Sequence, residues 1–250
     1  MSEMQQEKKA SFSSSGRIKE KETKIKVMGS VRIAGGKIEK FVKSSGSAKI
    51  EGNLECHGFK SRGSTRGNGA IISQGSVKNS GSFSIAGSLQ GTENARFFGS
   101  ASIGEKIDLK GKLKAFGSIK SGNSIETGSN IMIFGSASTG GDILTESDVK
   151  VKGSVSVSGN IFANNVTLGK KRGWNIFAIK QGSNRPYKIS GSIISKNRVN
   201  LRGTIVKNDV KGRDVHIRKY SDVQGQIYYQ DSIKVHRKAK TNREPIKLNE

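Results

Sequence analysis

The chain has 250 residues, with Lys+Arg 44 against Asp+Glu 20 and a formal net charge of +24. Only 32% of its residues are apolar and 6% aromatic, while Gly reaches 32 and Pro only 2. That supply of large apolar side chains is too small for a doubly wound α/β enzyme, and the glycines do not fall at every third position as collagen requires. The single cysteine, Cys56, allows no internal disulfide and no zinc cluster.

Residues 1–24 are polar and charged and lack the apolar stretch of a secretory leader, so they are expected to be a disordered tail on a cytoplasmic protein. From residue 25 the chain becomes periodic. Gly29, Ser30, Val31 and Gly35 share one register and Gly46, Gly52 and Gly58 another, and the one-residue slips between registers predict bulged corners. From Gly63 to Gly159 the step is six: twelve of seventeen slots are glycine, and sixteen of the seventeen residues two places further on are apolar, from Ile71 to Ile161. Chance does not produce that.

The period also selects the structure. A helix would smear positions six apart around its surface, whereas a strand alternates every two residues, so apolar side chains at +2 and +4 (Ile85, Phe97, Ile103, Leu109, Ile133, Val151, Val157) share one face. Each hexad reads as a short strand and a Gly-Ser turn. Three make a rung of about 18 residues, and stacked rungs make an all-β, triangular, single-stranded parallel β-helix over residues 25–236.

Residues 170–188, KKRGWNIFAIKQGSNRPYK, interrupt the lattice as an insertion loop. Gly191-Ser192-Ile193, Val199 and Gly203-Thr204-Ile205 then resume it, and Val215, Ile217, Val223, Ile227, Ile233 and Val235 read as the last strands. Residues 237–250 form a basic tail. From residue 166 onward there are 20 Lys/Arg against 6 Asp/Glu, so acidic partners are expected. Lys170, Lys171, Arg172, Trp174 and Phe177 combine charge with aromatic rings and form a candidate contact with an anionic membrane or another partner.

The runs GSAKIEGNL (46–54), GSFSIAGSLQG (81–91), GSASIGEKIDLKGKL (99–113) and VKVKGSVSVSGNI (149–161) have the G-[SKN]-apolar-x-[IV]-x-G cadence of the bactofilins, and over residues 25–236 the chain resembles that family. The resemblance implies a right-handed helix and a non-enzymatic homopolymer. Such a protein joins end to end without nucleotide and lies peripherally at the inner face of the cell membrane as a scaffold for cell shape or envelope growth. Two departures stand out: the chain is longer than the compact bactofilin core, and residues 170–188 interrupt it. Independently of family, an uncovered terminal rung favours stacking on another copy. Ile25 and Val27 at one end, and Ile227, Tyr229, Ile233 and Val235 at the other, are the candidate polymer interface.

Other chemistries find less support. A hexapeptide-repeat acyltransferase shares the period but needs a catalytic histidine, and of His57, His216 and His236 only His57 has a nucleophile beside it, Cys56, which should point to the opposite face of the strand. The glycines lie six apart rather than in a Walker spacing, and Asp142, Glu146, Asp209 and Asp214 show no recurring ligand pattern. No catalytic residue, cofactor or metal is therefore expected. The charge predicts nonspecific binding to nucleic acid in any case, and a basic β-helix that binds nucleic acid or another polyanion is the alternative function. The client proteins are not legible.

Overall fold

A strand of three or four residues buries alternate side chains, and a lattice of such strands closes only when each finds a backbone partner one turn away. That is the arrangement in the computed structural model, which describes residues 9–169 and 187–249. The described residues are all β, with no helix, and form two compact units, residues 1–122 and 123–250.

In the first unit a typical turn consists of Val77–Ser80, Phe83–Ile85 and Leu89–Gly91. These pair in parallel with Ala95–Phe98, Ala101–Ile103 and Ile107–Leu109 of the next turn, 18 positions on. The turn is thus three-sided and the fold a parallel β-solenoid. Alternate side chains point inward: Val77, Phe83, Ile85, Leu89, Ala95 and Phe97 are all buried. Phe59, Phe83 and Phe97 meet in the core with ring centroids 6.4 and 5.3 Å apart. Each such side chain taken from water contributes about 1.5–3 kcal/mol.

The earliest turns are shorter. β1 (Ser11–Ser14) and β2 (Ile18–Glu20) precede β3 (Lys24–Met28), β4 (Val31–Ser45) and β5 (Ala48–Arg62). Val31 pairs with Ala48 and Ala48 with Thr65, 17 positions on each time. The register slips between Ala34 and Gly36 and between Ile38 and Phe41, which are the bulged corners that the glycine phase predicts. At one corner Gly46, Gly63, Gly81 and Gly99 lie above one another with positive φ. A Cβ on Gly81 would come 2.5 Å from the carbonyl oxygen of Gly63, so the stack admits no side chain.

The second unit repeats the pattern. Ile125 pairs with Ile143 and Ile143 with Ile161, and Ile161 then pairs in register with Ile193, so the solenoid resumes after residues 170–186. Asn and Asp at corners accept backbone N–H groups from the next turn. Asp142 Oδ1 accepts from Asn160 N at 2.6 Å, Asn160 Oδ1 from Ser192 N at 2.8 Å, and Asp209 Oδ1 from Gln226 N at 2.8 Å. These side chains tie turns together.

Three expectations are corrected. Ile205 was expected to face inward, but Thr204 and Val206 are the buried pair and Ile205 faces out. Gly203 (φ 63) advances the phase by one residue, which flips every side chain of the strand. Within residues 1–24, expected to be disordered, β1 pairs antiparallel with β4 and β2 with β3. The first turn would otherwise leave a row of backbone donors and acceptors open, and a polar segment can satisfy them. At the other end the basic tail continues the coil. Lys240–Thr241 pairs with Asp222–Val223, and Ile246–Lys247 pairs with residues 228–229.

Candidate functional site

The first strands of the first unit and the last strands of the second are where the sequence places an assembly contact. At the N-terminal end Ile25 and Val27 project into the core, 6% and 1% exposed. Their strand is covered by β2, with Glu20 opposite Ile25 and Ile18 opposite Val27. A further tie joins Lys40 Nζ to Glu20 Oε1 at 2.7 Å. The outermost layer there is therefore β1 and β2, each of which pairs on one side only among the described residues. Ile18, 41% exposed, is its most exposed large apolar residue, with Phe12 half-buried in β1.

At the C-terminal end Ile227 is fully buried, and Tyr229 is half-buried between Gly212 on one side and Lys247 on the other. Neither lies at the edge. Ile233 and Val235 do: they pair with Val215 and Ile217 of the previous turn, and no strand lies beyond them among the described residues. Lys240–Thr241 and Ile246–Lys247 occupy the other two sides of this last layer. Val235 and Ile246 are 43% and 47% exposed. Gln226 Nε2 donates to Glu244 O at 2.5 Å and Leu248 N to Tyr229 O at 2.7 Å, so the tail is held on the coil by its backbone.

Two of the six candidate interface residues, Ile233 and Val235, thus stand at an open edge. Ile18 and Ile246 are the exposed apolar side chains on the outermost described strands that the sequence reading did not single out. Lys170, Lys171, Arg172, Trp174 and Phe177 lie outside the described residues.

The candidate chemistry separates in space. Cys56 is buried and His57 exposed, so the adjacent thiol and imidazole face opposite sides of the strand. Burial pushes the Cys56 thiol up to about 12, which removes it as a nucleophile at neutral pH. His216 is half-buried, and burial, followed by the charge of Lys234, lowers its pKa; His236 is lowered by the same causes, desolvation first and then Lys219. Asp214 accepts a hydrogen bond from the Ser232 hydroxyl and pairs with Arg198 at 3.4 Å, and Glu146 pairs with Lys196. These carboxylates hold turns together, and no group of three His, Cys, Asp or Glu residues gathers among the described residues. Among those residues no helix is long and apolar enough to cross a membrane. No family model, no curated protein and no solved structure matches this chain.

Proposed function

We infer that the protein is a non-enzymatic scaffold that assembles end to end without nucleotide. In this reading it is a cytoskeletal polymer like the bactofilins its repeats resemble, working at the cytoplasmic face of the membrane in support of cell shape or envelope organisation. The observation that carries the reading is the pair of half-satisfied terminal layers. Among the described residues, Val235 is exposed at the end of a strand whose residues 232–235 pair only with the previous turn, Ile246 is exposed on a strand paired on one side only, and Ile18 is exposed on β2, which likewise pairs on one side only. Strand addition at such an edge satisfies backbone groups and removes apolar surface in one step. The contact runs from the C-terminal edge of one copy to the β1–β2 layer of the next. That is a heterologous, head-to-tail contact, which propagates as a filament where the rotation between copies does not close a ring.

Cross-linking tests this geometry. Copies carrying Ile18→Cys and copies carrying Val235→Cys, mixed and mildly oxidised, should form a disulfide between them, with the buried Cys56 contributing little background. Val235–Val235 products alone, or no cross-link, would exclude the head-to-tail contact.

A further inference from the structure

One sheet of the first unit carries a charge pattern that the scaffold reading does not use. Parallel pairing places Lys26 opposite Lys43, Lys43 opposite Lys60, Lys60 opposite Lys78, Lys78 opposite Arg96 and Arg96 opposite Lys114. Six consecutive turns therefore present a cation at the same outward position. At about 4.8 Å per strand the row extends about 24 Å. On the other two sides acids intervene: Arg32 and Lys49 share Glu51 at 3.4 and 2.8 Å, and Lys106 pairs with Asp108 at 3.2 Å. None of Lys26, Lys43, Lys60, Lys78 and Arg96 pairs with a carboxylate among the described residues.

A groove of about 440 Å³ runs beside the middle of this row. Lys43, Lys60 and Lys78 line it together with Lys24, His57 and Phe41, and no acidic residue does. Phe41 packs against Gly58 of the next turn so closely that a Cβ there would collide with its ring. Lys43 Nζ stands 5.5 Å from that ring's centroid. The crowding has an electrostatic signature, since the ammonium of Lys24, ahead of desolvation and of Lys21 and Lys43, holds Lys26 below the usual lysine value. An anion seated along the row would relieve that repulsion.

We propose that this row and groove bind the phosphodiester backbone of a single-stranded nucleic acid, laid along the stacked turns. A line of cations with a channel beside it complements a linear polyanion. A lipid surface is met by charge spread over a plane, whereas these cations form a single line. The exposed rings of Phe98 and Phe116, stacked 4.9 Å apart beside Arg96 and Lys114, offer faces on which unpaired bases can stack. The contact is with phosphates, so it selects little sequence. It is independent of assembly.

The test is fluorescence anisotropy of a labelled mixed-sequence oligonucleotide with the full chain between about 50 and 200 mM salt. Six phosphate contacts give a slope of log K against log salt of about −4. The triple variant Lys43→Gln, Lys60→Gln, Lys78→Gln should weaken binding at least about 10-fold and reduce the slope to about −2. A control of equal charge on other faces of the same unit, Arg66→Gln, Lys110→Gln, Lys120→Gln, should bind nearly as the native chain does. Equal losses in the two triples would overturn the site in favour of diffuse charge. Binding to vesicles of anionic phospholipid but not to the oligonucleotide would overturn it in favour of a membrane.

Discussion

Ile18 stands opposite Val27 in an antiparallel pair, so the first turn of the solenoid is closed by the segment that precedes it. The contact converts a parallel edge into a layer of opposite strand direction. A chain shortened to begin at residue 21 should lose this cover. The far-ultraviolet circular dichroism of a β-protein should persist, while stability falls by about 1.5–3 kcal/mol for each core side chain uncovered, Ile25 and Val27 first. Chemical denaturation of the shortened and full chains measures the difference; equal midpoints would mean that β1 and β2 add no stability.

Two glycines separate backbone conformation from space. Gly81 has φ 129 and faces the carbonyl of Gly63, whereas Gly203 has φ 63 with nothing within 4 Å of where a Cβ would stand. Gly81→Ala should cost roughly 2–3 kcal/mol, because strain and collision combine. Gly203→Ala should cost about 1 kcal/mol and Gly203→Asn less, since asparagine tolerates that region. Thermal unfolding of the three variants orders them, and an unchanged Gly81→Ala would contradict the stacked corner.

Inside the first unit Ser44 and Ser61 are buried one above the other, and neither hydroxyl has a hydrogen-bond partner. Burying an unpaired hydroxyl is unfavourable, so Ser61→Ala should raise stability by about 1 kcal/mol. Destabilisation of that size would indicate that the hydroxyl is satisfied.

Acid should loosen the last turns. The hydrogen bond from Ser232, assisted by Arg198, keeps the Asp214 carboxyl below 3.8, and burial keeps His216 below 6.5. In both cases the unfolded chain binds more protons. The histidine contribution is complete above 6.5 and fades as pH falls through its lowered pKa; the aspartate contribution is complete above 3.8 and fades below it. The thermal midpoint should therefore drop from neutral pH downward, and Asp214→Asn should remove the most acidic part of that drop. Parallel curves for the two proteins would contradict it.

The solenoid was legible because its core is written once per hexad. Ile71, Leu89, Ile107, Ile125, Ile143 and Ile161 recur at fixed steps, and all are buried. The ends were not legible, since strands such as Ser11–Ser14 owe their pairing to an open backbone edge rather than to an apolar period. The cation row was hidden by rung length. Lys26, Lys43 and Lys60 are 17 apart and Lys60, Lys78, Arg96 and Lys114 are 18 apart, so a fixed step misses the alignment and one slipped residue moves a side chain to the other face. Composition drew attention to the basic last third instead.

Negative-stain electron microscopy of the purified, nucleotide-free protein at low and moderate salt tests the scaffold reading most directly. Straight unbranched filaments are expected under both conditions. Ile233→Lys and Ile246→Lys, which place charge on the C-terminal edge, should shorten or abolish them with circular dichroism intact. Discrete single particles of the native chain at both salts, or normal filaments from both variants, would contradict assembly through that edge.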